Sequence, residues 1–149
     1  MGIAINHNNY SDAYLKQILS EVKTIALVGA SPRPERDSYR CMAALLDAGY
    51  DIIPVNPREA GNSILGQRCY DCLAAIEQPI DMVEIFRSSE AALAVTEEAI
   101  SIGAKVVWMQ LEVRNQQAAE LAEAAGIKVV MDRCPKIELT KPYWTGVEA

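Results

Sequence analysis

TIALVGASPRPERDSYR, at residues 24–40, is the segment from which the fold can be inferred. Residues 25–28 are apolar and have the length of a buried strand, and a helical pattern starts near Ser38. Between them lies a turn of small residues: Gly29, Ala30 and Ser31. A strand, a small-residue turn and a helix form the first half of a βαβ unit, in which backbone amides and a helix N-terminus meet an anionic ligand. We therefore predict the phosphate end of a nucleotide-type cofactor site, flanked by Arg33, Arg36 and Arg40.

Length and composition predict a single domain over residues 1–149, because half of the 149 residues are hydrophobic. The formal net charge of -6 argues against general affinity for nucleic acid or for an anionic membrane. No apolar run in the sequence approaches the ~18 residues of a membrane span. The N-terminal sequence MGIAINHNNYSD lacks the basic start and apolar core of a signal peptide. We expect a cytoplasmic protein whose first ten residues are flexible.

Four further apolar runs follow the first one, and helical patterns alternate with them. The predicted strands two to five cover residues 51–55, 82–86, 105–109 and 127–131. Ser11 is placed to cap a helix before the first strand, and Asn115 is placed to open the last long helix. This alternation predicts an α/β fold, namely a Rossmann-like doubly wound parallel five-stranded sheet with helices on both faces. We expect the strand order 3-2-1-4-5, although Pro54 in the second strand lacks the amide donor of a central ladder position.

Ligands of such sheets lie at the carboxyl ends of the strands. This sequence has its unusual chemistry at those ends: Gly29-Ala30-Ser31, Asn56-Pro57, Phe86-Arg87, Met109-Gln110 and Cys134-Pro135. An NAD site would require further glycines in the first turn and an acidic residue at the end of the second strand, and both are absent. The arginines suit an ADP moiety with an additional phosphate, which both NADP and coenzyme A carry.

Five blocks of this sequence are similar to the small stand-alone CoA-binding proteins, which are related to the CoA-binding domain of the succinyl-CoA synthetase α-subunit. They are VGAS at 28–31 with RDSYR at 36–40, VNP at 55–57, DMVEIFR at 81–87, VVWMQLEVRN at 106–115 and VVMDRCPKIE at 129–138. The resemblance implies that Gly29, Ala30 and Ser31 cradle the diphosphate. It further implies a phosphate end at Arg36, Ser38 and Arg40, an adenine and ribose side at Val55, Asn56 and Pro57, and a pantetheine path along Phe86, Arg87, Gln110 and Cys134.

The remaining candidates for chemistry are few. The only histidine, His7, precedes the whole predicted fold, so the phosphohistidine ligation of the synthetases is not expected. Cys69 and Cys72 form a C-x-x-C without a second ligand pair, so no metal site is predicted. Cys134 lies where the thiol of a bound CoA could reach it, which raises the hypothesis of a mixed disulfide. Asp81 and Glu84 are three positions apart on a strand and point to opposite faces, so they do not form a catalytic pair.

The leading prediction is a protein that binds coenzyme A or a short acyl-CoA and has no evident catalytic activity of its own. Two alternatives stay open at this point. One is an NADP-dependent oxidoreductase, and the other is a CoA-sensing regulatory module that acts through a partner protein. The irregular stretch at residues 59–79 and the tail with Tyr143 and Trp144 are candidates for covering the cleft or for a homodimer contact.

Overall fold

The computed structural model describes residues 5–147 of the chain. Five parallel strands form its main sheet: β1 (Thr24–Val28), β2 (Asp51–Val55), β3 (Met82–Ile85), β4 (Val106–Met109) and β5 (Lys128–Val130). Six helices accompany them: α1 (Asp12–Glu21), α2 (Asp37–Asp47), α3 (Ala92–Ser101), α4 (Gln116–Ala124), α5 (Pro135–Glu138) and α6 (Pro142–Thr145). The predicted class, a Rossmann-like α/β sheet with helices on both faces, is confirmed.

Successive side chains along each strand point to opposite faces of the sheet, and each face has its own hydrophobic core. On one face Ile25, Met82 and Trp108 pack against α1, α2 and the segment that begins α5. On the other face the side chains of Val83 and Val107 pack against α3 and α4. Because every strand of a parallel sheet is covered on both sides, these strands read as continuous apolar runs.

The helix caps act as the sequence predicts. The Ser11 hydroxyl accepts a hydrogen bond from the backbone N–H of Tyr14 at 3.1 Å, at the start of α1. The Asn115 side chain accepts one from the backbone N–H of Ala118 at 2.9 Å, at the start of α4. Each cap satisfies an amide that has no partner within its own helix.

The predicted strand order 3-2-1-4-5 is wrong, because β2 lies at the edge of the sheet and the observed order is 2-1-3-4-5. Pro54 explains the difference. Its carbonyl oxygen points away from β1 and accepts the backbone N–H of Tyr70 at 3.0 Å, so its donor-free nitrogen also faces outward. A further strand at that side would need the missing donor, which confines proline to an edge strand. The chain therefore crosses β1 before β3 begins.

The connection between β2 and β3 has no long crossover helix. It contains the single turns Pro57–Glu59 and Leu73–Ala75 and a two-residue hairpin, Ser63–Ile64 with Gln67–Arg68. The helix predicted near residues 71–76 is the second of these 3₁₀ turns. No helix within residues 5–147 has the length and apolar character that a bilayer crossing requires.

Gly29 follows β1 at the point where the ends of β1 and β3 come closest together. Its φ is +93°, and a Cβ atom built on it would lie 2.1 Å from the carbonyl oxygen of Phe86. Real Cβ atoms do not approach backbone this closely, so only glycine fits. The turn after β1 thus requires glycine at position 29.

We predict that Gly29→Ala lowers the free energy of unfolding by more than about 3 kcal/mol, because it adds a backbone clash to the strain of a positive φ. Gly61→Ala is the matched control, since Gly61 has a φ of +86° and a Cβ atom added there would meet nothing within 4 Å. We expect a loss of about 1 kcal/mol there. Chemical denaturation measures both values, and equal losses would contradict the close-approach explanation.

Candidate functional site

A groove runs along the carboxyl edge of the sheet, over the ends of β1, β2, β3 and β4. It consists of three adjoining cavities of about 710, 470 and 460 Å³. Phe86 lines all three of them, and it follows β3, the strand next to β1. The winding of the sheet reverses between β1 and β3 in the order 2-1-3-4-5, and such switch points are where open α/β sheets bind ligands.

The turn after β1 is fastened to β2 by its own backbone. The N–H groups of Gly29 and Ala30 both donate to the carbonyl oxygen of Val55, at 2.9 and 3.3 Å. The Asn56 side chain donates to the carbonyl oxygen of Ala30 at 2.8 Å. These two amides are therefore engaged within the protein. The group in this turn that can bind a ligand is the Ser31 hydroxyl. It accepts a hydrogen bond from the backbone N–H of Arg33 at 3.2 Å, and its own proton remains available to a ligand.

The largest cavity is the polar end of the groove. Arginines and carboxylates both line it: Arg33, Arg36, Arg58, Glu35, Asp37 and Glu59. The arginine charge is thus offset locally, and the first turn of α2 supplies a further positive field. Arg36 is the N-cap of α2, and its side chain makes no capping hydrogen bond. The first backbone N–H groups of this eleven-residue helix therefore lack a side-chain cap beside the cavity.

The opposite end of the groove is narrower and carries thiols. Cys41, Gln110 and Cys134 line this cavity, together with Arg87 and Lys136. Its outer wall is the loop after β4, where Glu112 has a φ of +69° and donates its N–H to the Asp132 carboxylate at 2.7 Å. Gln110 is 8% exposed, and its side-chain oxygen has no hydrogen-bond partner among residues 5–147. An acceptor left in this state is satisfied by a donor that enters the cavity.

Below that cavity lies a buried acid between the sheet and α2. Glu84 on β3 is 0% exposed, and the Cys41 thiol donates to its carboxyl group at 3.6 Å. Complete burial raises the pKa of Glu84 well above its ordinary value, and a negative charge on Cys134 raises it further. Glu84 is therefore protonated at pH values where an exposed glutamate is ionised.

The two thiols beside Glu84 differ in acidity. A hydrogen bond to Cys134 and burial both raise the pKa of Cys41. The pKa of Cys134 is lowered, chiefly by hydrogen bonding with Cys41, whose single thiol proton serves either Cys134 or Glu84. The Gln110 side chain and the backbone N–H groups of Ile137 and Lys136 make smaller contributions. Of the two, Cys134 is the thiol that ionises first.

Twelve of the thirteen residues predicted for the site lie in the groove: Gly29, Ala30, Ser31, Arg36, Ser38, Val55, Asn56, Pro57, Phe86, Arg87, Gln110 and Cys134. Arg40 lines none of the three cavities and instead forms an ion pair with Asp37 at 3.7 Å. Their roles toward a ligand stay predictions.

The tail suggested as a cover of the cleft packs elsewhere, beside the buried Trp108. The indole N–H of Trp108 donates to the carbonyl oxygen of Arg133 at 2.8 Å. Tyr143 and Trp144 pack with the core on the α1 and α2 face. The Tyr143 hydroxyl donates to the buried Glu138 at 2.8 Å, which ties the tail to α5.

Residues 5–10 contact the folded domain. The His7 ring bonds to the Tyr10 hydroxyl at 2.7 Å and to the Glu123 carboxylate at 2.9 Å. The Tyr10 hydroxyl accepts the N–H of Met131 at 2.8 Å. His7 is not among the residues that line the groove, whereas residues 1–4 lie outside the described part of the chain. Flexibility of the first ten residues stays a prediction.

Sequence reasoning missed the partners that surround Cys134. Cys41 shares the inward face of α2 with Met42 and Leu45, and that spacing places it on the core side. From the sequence, Glu84 is considered only together with Asp81, with which it does not form a pair. Its contact with Cys41 brings together residues that are 43 positions apart, and no local sequence pattern encodes such a contact.

Comparison with known proteins shows one family over most of the chain. The model of a family described as a CoA-binding domain matches residues 23–140. An uncharacterized Bacillus subtilis protein, YneT, is 42% identical over 129 residues, which are 87% of this chain and 94% of that protein. The ADP-forming acetate–CoA ligase of Methanocaldococcus jannaschii is 30% identical over 81% of this chain, but the match covers 18% of the ligase.

Solved structures give the same picture. A hypothetical protein from Pyrococcus horikoshii superposes with a TM-score of 0.83 at 39% identity, covering 93% of this chain and 96% of that one. The dinucleotide-forming acetyl-coenzyme A synthetase 1 of Korarchaeum cryptofilum superposes with a TM-score of 0.58 at 25% identity, covering 72% of this chain and 25% of the synthetase. The fold therefore occurs both as a small protein and as a part of larger chains.

The buried Glu84 predicts a pH-dependent stability. Because its pKa is raised in the folded state, the folded protein keeps a proton that the unfolded chain releases as pH rises. This one group should lower the free energy of unfolding by about 1.4 kcal/mol per pH unit between its two pKa values. Glu84→Gln removes this contribution, so the stability of the variant relative to the wild type should increase from about pH 5 to pH 8.

Denaturant titrations at several pH values measure this difference. Glu77→Gln is the control, because it removes one carboxylate from the exposed surface. A constant difference between the Glu84→Gln variant and the wild type across that range would contradict a buried, protonated Glu84.

Proposed function

Because this chain belongs to the CoA-binding domain family, we propose that it binds coenzyme A or a short acyl-CoA in the groove at the carboxyl edge of its sheet. The order of chemical groups along the groove carries the proposal. The polar cavity has arginines and the start of α2, Phe86 lies in the middle, and Gln110 and Cys134 lie at the far end. Coenzyme A presents phosphates, then an arm with amides, then a thiol, in the same order.

The polar end fits the phosphates. Arg33 and Arg36 are exposed side chains in the cavity wall, so they are able to turn toward a phosphate without losing an internal partner among the described residues. The uncapped start of α2 adds backbone donors and a favourable dipole. The Ser31 hydroxyl is a third kind of donor. Together these groups supply guanidinium, backbone and hydroxyl donors to a ligand that carries several negative charges.

The nucleoside and the arm have distinct surroundings. Val55, Asn56 and Pro57 line the second cavity, which offers apolar surface and backbone polar groups to an adenine and a ribose. Phe86 lines all three cavities, so an arm that leaves the phosphates beside Phe86 reaches the thiol end, where Arg87 also lies. The unpaired oxygen of Gln110 is an acceptor for an amide N–H of the pantetheine arm.

The ligase relatives support coenzyme A as the ligand and do not extend to ligation. Their names state that they use CoA, and the matched part is a small share of each protein. His7 is held by Tyr10 and Glu123 and is not among the groove residues, so we assign it no phosphoryl-transfer role.

Thermal unfolding with CoA, acetyl-CoA, NADP and NAD in parallel tests the ligand. A ligand at about 100 times its dissociation constant adds about 2.7 kcal/mol to the folded state. For a chain of this size, the unfolding midpoint should rise by roughly 5–10 °C with CoA or acetyl-CoA. A rise with NADP and none with CoA would overturn the proposal and favour a dehydrogenase.

Substitutions of two neighbouring arginines distinguish a specific phosphate contact from a nonspecific effect of positive charge. Arg36→Gln should weaken CoA binding about tenfold or more, because a charged hydrogen bond contributes about 1.5–3 kcal/mol. Arg40→Gln removes the same charge four residues later, outside the cavity wall, and should change affinity much less. Isothermal titration calorimetry measures both constants. Equal losses would argue against a specific contact at Arg36.

A further inference from the structure

The thiol end of the groove contains two cysteines. The side chains of Cys41, 1% exposed, and Cys134, 5% exposed, pack in the same core cluster. Both line the same cavity, so a molecule bound there meets the pair together. The two residues are far apart in the sequence and come from α2 and from the residue before α5. Their proximity is a product of the fold.

The surroundings of the two thiols favour different protonation states. Cys41 donates to the buried carboxyl group of Glu84 at 3.6 Å and is held as a neutral thiol. The Gln110 side chain and the backbone N–H groups of Lys136 and Ile137 donate to Cys134 and favour its thiolate. A thiolate is the nucleophile of disulfide exchange, and a nearby thiol resolves the product.

The segment that carries Cys134 is held rigidly. Glu138 of α5 is 1% exposed and is bonded to Lys141 at 2.9 Å, to Arg133 at 3.4 Å and to Tyr143 at 2.8 Å. This network lies within residues 133–143. The Trp108 indole N–H donates to the carbonyl oxygen of Arg133 at 2.8 Å, which attaches the residue before Cys134 to β4. The side chains of Arg87 and Lys136 line the same cavity, and their positive charge favours a thiolate in it.

We propose that Cys134 and Cys41 form a redox-active dithiol that reduces a disulfide formed between coenzyme A and a second thiol. This inference rests on the proposed function, since the groove would carry the CoA half of the disulfide to Cys134. It extends the hypothesis of a mixed disulfide at Cys134, because the second thiol makes that adduct an intermediate.

The reaction balances in two steps. The Cys134 thiolate attacks the CoA disulfide, forms a mixed disulfide with one of its sulfurs and releases the other half as a thiolate. The Cys41 sulfur then attacks Cys134, forms the Cys41–Cys134 disulfide and expels the second half, which takes the proton that Cys41 gives up. Two electrons pass from the dithiol to the incoming disulfide. Glu84 keeps its proton throughout and orients Cys41, and a dithiol reductant returns the pair to its starting state.

The test uses the full-length protein, reduced and then freed of reductant, with the mixed disulfide of CoA and glutathione as the probe. Released thiols are counted, and the intact mass of the protein is measured. The wild type should release one CoA and one glutathione per chain and become lighter by two hydrogen atoms. Cys41→Ser should release one thiol and retain a reducible adduct, and Cys134→Ser should release none.

The control is Cys69→Ala, which removes a buried thiol outside the groove and should behave as the wild type. Circular dichroism establishes that each variant is folded. The dithiol is overturned if the wild type retains a stable adduct, or if Cys41→Ser still loses two hydrogen atoms. It is also overturned if Cys134→Ser reacts at the wild-type rate.

Two further measurements separate this inference from CoA binding itself. Thermal unfolding with reduced CoA reports binding without any disulfide chemistry. A midpoint rise with CoA but no thiol release would overturn the dithiol and leave CoA binding in place. Glutathione disulfide, which lacks the CoA half, should react at least about tenfold more slowly than the probe. Equal rates would overturn the role of the groove in delivering the disulfide.

Discussion

The close approach of Gly29 to the carbonyl oxygen of Phe86 sets the geometry of the sheet and of the groove above it. It brings the carboxyl ends of β1 and β3 together with no side chain between them. The turn after β1 then bends toward β2, where Val55 accepts the amides of Gly29 and Ala30. This arrangement opens a groove on both sides of Phe86. A bulkier residue at this position would collide with the backbone of Phe86.

The second constraint is a carboxyl group in the core of the sheet. Glu84 occupies a fully buried position on β3, where an apolar side chain would stabilise the fold more simply. Its burial is tolerated because it is neutral and because Cys41 bonds to it. Such a group ties the stability of the central strand to the state of the thiol pair above it. Fold and candidate chemistry therefore share one residue at the centre of the molecule.

Local patterns predicted the elements well, and pairing across the chain was predicted poorly. The caps at Ser11 and Asn115 follow from short-range hydrogen bonding, which a sequence encodes within four residues. The strand order was wrong, because right-handed crossovers allow either order and the choice depends on contacts between distant strands. Pro54 contained the necessary signal, since a residue without a donor belongs at an edge.

The class of fold and the groove residues at the strand ends follow from the sequence alone, because apolar periodicity and strand-end chemistry are local properties. The family follows from the resemblance of five sequence blocks to its members. The meeting of Cys41 and Glu84 with Cys134 emerges only from the folded chain. Which side chains share a buried space depends on how α2 and α5 pack on the sheet, and that packing is a sum of many weak contacts between residues far apart in the chain.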